Sequence, residues 1–546
     1  MTKVPSTARR RRSAMGEPPR VDEVLLDIDD IQGNILAGFN KDLQILMALR
    51  WREVAAARRW LGRILPHINS LAEVGQFNAL FRTRRARLAG TDPVGLVATW
   101  ANIAFSHPGL AAITSEEEAG AIPDASFVAG MPDQAAALGD HAPDGNADET
   151  SGWKIGGRGH VPDVLLIVAS DDESQLLQLA TLLRPDADDP SAPEVIWEEI
   201  GRTRRDLPGH EHFGFKDGIS QPAVRGLIEK NPDWYLCPRL LEPATAGNVD
   251  FASPGNPLLW PGQFVFGYPS TDRSSGGPVA VPNLKPKWLR NGSLLVFRRL
   301  KQDVVGFHAF LRQEAARLAA TTDFAGMEST RLGAMLIGRW PSGAPVMRTA
   351  LTDMPVLGTS AVFANDFAFA GDTPAPIFLP GKAVPDPFPR ATQDRLGVTC
   401  PHASHIRKVN PRDQDSDKGD QFDTLTRRVL RRGIPYGSAL PIPDTEPLPA
   451  DDGVDRGLHF LCYQTSIVDQ FEILQTDWAN SLDNPKPRGV DLIIGQAAGA
   501  ARELELVTSS GDSQVLSTAQ QFVVTTGGGY FFSPSLSALA EFSQRA

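Results

Sequence analysis

The sequence predicts an α+β fold, and two observations carry this prediction. Stretches with apolar residues at three- and four-residue spacing, typical of amphipathic helices, alternate with short apolar runs typical of buried strands. Between residues 161 and 200, a strand, a helix and a second strand follow one another without the glycine-rich loop that binds phosphate. This pattern favours an α+β fold over a nucleotide-binding α/β fold.

The N-terminal half contains five predicted elements and one long loop. The helices rest on Ala, Leu and Arg at helical spacing, and the strands rest on apolar runs bounded by polar residues. In chain order we expect helices at 42–65 and 70–83, a loop rich in Asp, Gly, Ala and Pro at 132–156, a strand at 161–171, a helix at 173–183 and a strand at 195–200.

The C-terminal half begins with a long segment rich in Pro and Gly, residues 230–291, which we interpret as a loop excursion. A strand at 293–300, a helix at 302–318 and strands at 458–462 and 521–524 follow, and an aromatic run, 530–532, comes after three glycines. The chain therefore divides into two α+β halves with little sequence repetition, and we place the division near residues 200–225.

Composition excludes several classes of protein. With 546 residues, 42% hydrophobic and 22% charged, the chain is typical of soluble globular proteins and long enough to enclose a bulky cofactor. A net charge of −11 argues against general nucleic-acid binding. No apolar run reaches the roughly 18 residues of a membrane span, so we expect neither a nucleic acid nor a membrane as partner.

The cysteines and the N-terminus bear on location. Cys237, Cys400 and Cys462 are odd in number and far apart, so we do not expect a disulfide framework. We therefore expect a cytoplasmic location. Neither C-x-x-C nor C-x-x-C-H occurs, which argues against a zinc site and against thioether-linked haem. The arginines at 9–12 lack a following apolar segment, so we predict a disordered basic tail and not an export signal.

Three short fragments carry the chemistry. In F-G-F-K-D-G-I-S-Q-P (213–222), Asp217 lies among apolar residues, where a carboxylate needs a partner or a task, although Asp-Gly is also a common surface turn. His402 and His405 are three residues apart, so on a helix they share a face, and Pro411 predicts the end of that helix near residue 410. Arg431 and Arg432 precede a glycine, a pattern that also suits a solvated helix end.

Taken together, these fragments resemble the motifs of the dye-decolourising peroxidases, a family of haem enzymes. Further matches include D-I-Q-G-N-I-L, H-V-P-D-V-L-L-I-V-A-S-D, L-L-W-P-G-Q-F-V-F-G-Y-P and G-G-Y-F-F-S-P-S-L, and they extend from about residue 25 to residue 540. The resemblance implies duplicated ferredoxin-like domains with antiparallel sheets flanked by helices, as in the chlorite-dismutase-like superfamily. We accordingly expect a tail at 1–24, an N-terminal domain at 25–205 and a C-terminal haem-binding domain at 206–546.

The resemblance also implies roles for individual residues. His405 resembles the proximal ligand of the haem iron, because the family's ligand precedes I-R-K, and His402 then has no role. Asp217 resembles the distal acid–base and Arg431 the distal arginine, with Arg432 as the alternative if the register is shifted by one. Leu458 and Phe460 resemble residues lining the distal pocket, so His459 between them should point to the other face of its strand.

Other expectations extend this picture by inference. Arg407 and Arg412 could pair with the haem propionates. Asp469 and Glu472 are alternative carboxylate partners for the second ring nitrogen of His405. Tyr463 and Trp478 could relay electrons from bulky donors, although packing aromatics are the plainer interpretation.

The predicted function is a peroxidase reaction that uses non-covalent haem b. Hydrogen peroxide is reduced, and phenolic, dye-like or other aromatic donors are oxidised in one-electron steps. An aspartate base predicts highest activity in acid. The alternatives are another reaction of the superfamily, chlorite decomposition or haem-precursor decarboxylation, and a non-enzymatic haem carrier; the Asp217–Arg431 pair argues against both. The oligomeric state stays open.

Overall fold

The computed structural model describes residues 24–88, 93–142, 145–227, 239–240, 250–253, 255–371, 378–379, 382–383, 386–443, 447–497 and 500–545. The basic tail predicted at 1–24, apart from residue 24, and Cys237 lie outside the described residues. Within the described part of the chain, none of the helices has the length and apolar character that crossing a bilayer requires.

Nineteen strands occur among the described residues, many of them short. They are β1 Leu43–Arg50, β2 Thr99–Phe105, β3 Val164–Ser170, β4 Glu194–Arg202, β5 Ala223–Val224, β6 Arg239–Leu240, β7 Asp250–Ser253, β8 Asn256–Leu259, β9 Ser270–Thr271, β10 Pro278–Val279, β11 Ser293–Gln302, β12 Phe378–Leu379, β13 Lys382–Ala383, β14 Leu430–Arg431, β15 Ile434–Tyr436, β16 Gly457–Gln464, β17 Arg502–Val507, β18 Ser513–Thr518 and β19 Val523–Ser533.

The helices flank these strands. They are α1 Gly33–Leu36, α2 Val54–Ile64, α3 Leu71–Arg87, α4 His107–Ile113, α5 Glu116–Gly120, α6 Ala125–Ala129, α7 Met131–Gln134, α8 Glu173–Leu183, α9 Val304–Ala319, α10 Ser329–Ile337, α11 Pro355–Gly358, α12 His405–Lys408, α13 Gln421–Thr426 and α14 Leu536–Gln544. A π-helix, Ile467–Ala479, follows β16, and short 3₁₀ turns lie at Leu65–His67, Pro261–Gln263 and Lys287–Leu289.

The main sheet consists of two halves with the same strand order. The N-terminal strands are arranged β4-β1-β3-β2, and the C-terminal strands are arranged β19-β11-β16-β15, with β14 continuing beside β16. In both halves the first and third strands of the half are central and antiparallel, which is the ferredoxin-like arrangement. The predicted fold class, duplicated ferredoxin-like α+β, is therefore confirmed.

The two halves close into a barrel through two minimal contacts. One registered pair, Gly201 with Tyr436, joins β4 to β15, and one pair, Phe532 with Phe105, joins β19 to β2. We call the first contact the β4–β15 seam. Alternate strand residues point inward to a barrel core that includes Leu165, Leu295 and Leu461, while the others face the surrounding helices.

A buried ion-pair network strengthens the β4–β15 seam. Glu199 on β4 accepts hydrogen bonds from Arg299 at 2.7 and 2.8 Å and from the Nε2 of His459 at 2.6 Å. The Tyr436 ring stacks on His459 with centroids 4.8 Å apart, and the Arg299 guanidinium lies 4.0 Å from the same ring. These side-chain interactions thus stabilise a seam in which one pair of residues is joined through the backbone.

Glu199→Gln should lower the free energy of unfolding by about 3 kcal/mol, because it removes the carboxylate that accepts hydrogen bonds from the buried Arg299 and His459 side chains. Burial favours the neutral carboxyl, but His459 and Arg299 lower the pKa of Glu199 to about 2. Because a free Glu has a pKa of about 4.3, this stabilisation is complete above that pH and is lost as the pH falls towards about 2.

Urea denaturation at pH 7 measures the effect. Glu194→Gln is the matched control, because Glu194 lies on the same strand with 47% of its side chain exposed and pairs only with Arg52 among the described residues; its change should stay within about 0.5 kcal/mol. Equal stability of Glu199→Gln and the wild type would contradict the role assigned to the network.

Most predicted elements are present, with two corrections. The predicted helices at 70–83, 173–183 and 302–318 correspond to α3, α8 and α9. Residues 42–65 are not one helix: their first part is β1, which is buried on both faces and therefore lacks the apolar–polar alternation of a half-exposed strand. The strand expected at 521–524 is longer than predicted, since it continues as β19 through the three glycines. Glycine is needed at position 528, because a Cβ there would lie 2.5 Å from the carbonyl oxygen of Phe297 on β11.

Candidate functional site

A large cavity lies between the outward face of the C-terminal half-sheet and the elements packed on it. β11 and β16 contribute Leu300, Leu458 and Phe460 to its wall, and the π-helix contributes Phe471 and Leu474. Further wall segments come from α12, from 409–412, from 427–431 and from the loop 211–220, with smaller parts from 337–339, 493–496 and β19. Of the predicted site residues, the cavity brings together Asp217, His405, Arg412, Arg431, Leu458 and Phe460.

Asp217 and Arg431 form an ion pair in the cavity wall. The Nη1 of Arg431 donates to the Oδ1 of Asp217 at 2.7 Å, and its Nη2 donates to the carbonyl oxygen of Ser220 at 3.1 Å. Gln221 bonds to both the backbone N–H and the backbone carbonyl of Arg431, which ties the loop to β14. The Asp217 side chain is still 43% accessible, so a small molecule in the cavity can reach it.

Electrostatics keep Asp217 ionised. Enclosure by protein favours the neutral acid, but the charge of Arg431, the Gly218 N–H and the nearby His405 together outweigh that effect. The pKa of Asp217 therefore lies below its ordinary value. An ionised carboxylate open to the cavity can accept a proton from a bound molecule.

His405 begins the short helix α12 and points its ring into the same cavity. Its Nδ1 donates to the Oδ2 of Asp491 at 2.7 Å, which leaves Nε2 with the lone pair that can bind a metal. The other oxygen of Asp491 accepts the N–H groups of Ile493 and Ile494 at 2.8 and 3.1 Å, so the carboxylate is fully buried and held at both oxygens. Burial opposes the imidazolium, but Asp491 outweighs burial and raises the pKa of His405.

The carboxylate partner of His405 is a correction to the sequence analysis. Asp469, one of the two predicted candidates, pairs with Arg273 and Arg427 instead. Glu472, the other, accepts hydrogen bonds from Ser126 and Tyr530. Both lie on the π-helix, whereas Asp491 comes after that helix in the chain and bonds to the histidine.

His402 does not take part in this arrangement. Its ring nitrogens contact the carbonyl oxygens of Pro487 and Arg395 at 3.3 and 2.9 Å. It precedes α12, so the shared helical face expected for His402 and His405 does not exist. The helix ends at Lys408, close to the end predicted from Pro411.

The two arginines predicted to meet propionates lie in different surroundings. Arg412 lines the cavity, but Arg407 does not: its guanidinium is buried against Asp394, Gln414 and the carbonyl oxygen of Cys400. Because those groups occupy its donors, the structure does not bring Arg407 to the cavity.

Arg412 belongs instead to a cationic cluster that the sequence analysis did not identify. Arg339 and Arg428 line the cavity with it, and no described carboxylate lies within ion-pair distance of any of the three. Burial, together with repulsion from neighbouring guanidinium groups, lowers the pKa of each. A carboxylate on a ligand would relieve both effects.

His459 and Arg432, which are next to site residues in the sequence, lie outside the cavity wall. Leu458 and Phe460 face the cavity, while His459 between them points into the barrel and contacts Glu199, as strand alternation predicts. Arg432, the alternative to Arg431, donates to the carbonyl oxygens of Asn34, Ile35 and Leu36 and is not in the cavity wall. Tyr463 and Trp478, the two aromatics considered as relays, are fully buried.

The donor set fits haem. The histidine offers a free Nε2 backed by a carboxylate, which is how proteins orient an imidazole towards iron. The cavity walls are largely apolar, as a porphyrin requires. The three arginines of the cationic cluster, which have no described carboxylate within ion-pair distance, suit the carboxylates at the edge of a porphyrin ring.

Two carboxylates of this site were absent from the sequence analysis. Asp491 directly precedes the apolar run Leu492–Ile494. An isolated acid beside buried residues was the only sign of its role in the sequence. Glu211 lines the cavity on the Asp217 loop, two residues before Phe213. Neither position has a spacing that distinguishes it from an ordinary surface acid.

Known proteins resemble this chain in sequence over nearly its whole length. Residues 30–185 match the family described as DyP dimeric alpha+beta barrel domain, and residues 379–487 match the family described as Dyp-type peroxidase, C-terminal. A dye-decolorizing peroxidase of Mycena epipterygia is 32% identical over 94% of this chain and 86% of its own length. A multifunctional dye peroxidase of Amycolatopsis sp. is 27% identical, with 98% of each chain covered.

Solved structures agree with these sequence matches. An ancestral D-type dye decolorizing peroxidase superposes with a TM-score of 0.71 at 31% identity, covering 96% of this chain and 100% of its own. A fungal DyP-type peroxidase from Auricularia auricula-judae superposes with a TM-score of 0.67 at 28% identity, covering 95% of this chain and 100% of its own.

Proposed function

The chain belongs to the dye-decolorizing peroxidase family and is a haem peroxidase, and from this premise we propose roles for its cavity residues. His405 binds the iron of a non-covalent haem b through Nε2, and the Asp491 carboxylate fixes the orientation of the ring. Arg428, whose guanidinium donates a long hydrogen bond of 3.5 Å to Ser220, would hold a propionate. Arg412 and Arg339 would add positive charge beside it, since their own donors already bind Asn365 and neighbouring carbonyl oxygens. The supporting observation is the meeting of a carboxylate-backed histidine and the Asp217–Arg431 pair in one cavity.

Asp217 and Arg431 then divide the work on hydrogen peroxide. The ionised Asp217 takes a proton from one peroxide oxygen and returns it to the other, which departs as water. Arg431, a fixed cation 2.7 Å from Asp217, stabilises the negative charge that develops on the departing oxygen. The haem, when bound, would supply the two electrons that cleavage of the O–O bond consumes and would regain them one at a time from the donors.

Leu458 and Phe460 add apolar surface to the cavity that contains Asp217. We propose phenolic, dye-like and other aromatic compounds as donors that each give one electron. The direct test is to reconstitute the protein with haem, add peroxide, and record the Soret band together with oxidation of a phenol; no spectral response would overturn the proposal.

The pH dependence of the peroxide step tests the assignment of Asp217. Because the pKa of Asp217 is lowered, kcat/KM for peroxide should hold as the pH falls to about 4 and decline only below it, with highest donor oxidation in acid. In Arg431→Gln, burial is no longer opposed by the guanidinium, so the midpoint of the acid decline should rise.

A pH series with a phenolic donor measures both midpoints. Haem content, measured from the Soret absorbance per protein, controls for loss of the cofactor in the Arg431→Gln protein. A midpoint that is the same in both proteins, or an alkaline optimum, would count against Asp217 as the ionising base.

A further inference from the structure

Glu211 is a second carboxylate in the cavity wall that the proposed peroxide step does not use. Its Oε2 accepts the backbone N–H of Phe213 at 2.7 Å, and its Oε1 accepts the backbone N–H of Phe215 at 2.9 Å. The Nε2 of Gln302, at the end of β11, donates to Oε2 at 2.6 Å. One side chain therefore organises the loop and fastens it to the central sheet.

The backbone of the same loop closes around this carboxylate. Glu211 donates its own N–H to the carbonyl oxygen of Phe215 at 3.1 Å, and Gly214 donates to the carbonyl oxygen of Glu211 at 3.1 Å. Gly214 has a φ of +91°, a left-handed conformation that favours glycine. The turn 211–215 is thus a closed unit whose centre is the Glu211 side chain.

Packing transmits the position of this turn to Asp217. The Phe213 ring lies against Phe307 with centroids 4.4 Å apart, and His308 contacts the Phe213 carbonyl oxygen at 3.0 Å. Asp217 follows Phe215 by two residues, and its own N–H donates to the carbonyl oxygen of Gly209 at 2.9 Å. The contacts of Phe213 with α9 and of Asp217 with Gly209 hold the turn 211–215 in place, and Asp217 comes two residues after that turn.

The hydrogen bonds to Glu211 offset the cost of burying its carboxylate. Burial raises the pKa of Glu211 to about 7, although the Phe213 and Phe215 N–H groups and Gln302 favour the ionised form and the charge of Asp217 disfavours it. A buried carboxylate is costly unless its hydrogen bonds are needed. The same position would accept an apolar side chain if only packing mattered.

We propose that Glu211 is a positioning residue for the peroxide step: by holding the N–H groups of Phe213 and Phe215, it places Asp217 within reach of both Arg431 and peroxide. This inference rests on the proposed function of Asp217. A displacement of about 1 Å at a reacting group costs up to about 100-fold in rate, so the position of the loop is a direct determinant of turnover.

Glu211→Gln tests the proposal with a minimal change of shape. The assay is run at about pH 8, where Glu211, with a pKa of about 7, is ionised. The Gln amide has one accepting oxygen, so one of the two backbone N–H groups loses its acceptor, and kcat/KM for peroxide should fall about 10- to 100-fold. The KM for the aromatic donor and the Soret band should be unchanged. Glu314→Gln is the matched control, because Glu314 is a buried carboxylate on α9 that pairs with Arg317 and lies outside the cavity wall.

Hydrogen exchange gives a readout that does not depend on turnover. In protein without haem, peptides covering 211–217 should exchange faster in Glu211→Gln than in the wild type and in Glu314→Gln. Unchanged exchange together with an unchanged peroxide rate would overturn the inference.

A double-mutant cycle separates this inference from the proposed function. If Glu211 acts through Asp217, Glu211→Gln should have no further effect in an Asp217→Asn background. Full activity in Asp217→Asn would sink the proposed function. A slow Asp217→Asn protein whose rate falls a further 10-fold or more on adding Glu211→Gln would overturn only the positioning role.

Discussion

Replacement of Asp217 by Asn is expected to slow the reaction with hydrogen peroxide by about 10²- to 10⁴-fold. The amide matches the carboxylate in shape and can still accept the hydrogen bond from Arg431, which in the native protein is 2.7 Å long. It cannot take up a proton from peroxide and return it. The loss therefore falls on proton transfer, and the binding of haem should be unaffected.

Stopped-flow absorbance after mixing with peroxide measures this step in the absence of a donor. Asp206→Asn is a suitable control, because Asp206 pairs with Arg204 in the same part of the chain and does not line the cavity. Wild-type kinetics in the Asp217→Asn protein would show that another group carries the proton.

Replacement of His405 by Ala is expected to abolish stable haem binding, the second large effect. The substitution removes the only described histidine in the cavity wall, and with it the nitrogen that Asp491 orients. The remaining contacts, apolar walls and the arginine cluster, hold a porphyrin without fixing its iron. Asp491 would in addition be left buried without its partner.

Haem retention is measured as the ratio of Soret to protein absorbance after reconstitution and gel filtration. His402→Ala is the matched control, because it is three residues away and bonds only to backbone carbonyl oxygens; it should retain haem as the wild type does. Loss of haem in His402→Ala and retention in His405→Ala would reverse the ligand assignment.

Local sequence signals predicted the elements that form from local interactions. α8 was predicted with its observed bounds, since the periodicity of its apolar residues is helical and Asp172 caps its N-terminus by accepting the Gln175 N–H. β1 was mistaken for helix because a strand covered on both faces shows no alternation, and a run of apolar residues then fits either structure. The closure of the barrel depends on pairings between distant strands and has no local signal.

The site residues likewise fall into those that short motifs predict and those that only the path of the chain brings together. Asp217, His405 and Arg431 stand within short motifs, so a family resemblance is sufficient to assign them to one site from the sequence alone. Asp491 lies 86 residues after His405 and is chosen over Asp469 and Glu472 only by the path of the chain after the π-helix. Arg407 and Arg412 were indistinguishable by charge, and differ because Asp394 already neutralises Arg407.

The wall between the barrel and the cavity is a single strand thick. Leu458 and Phe460 form one side of it, and His459, bound to Glu199, forms the other. Inserting or deleting one residue in β16 would exchange the two sides, placing an imidazole beside the peroxide and two apolar groups in the ion-pair network. The cavity wall and the ion-pair network therefore both depend on the register of β16.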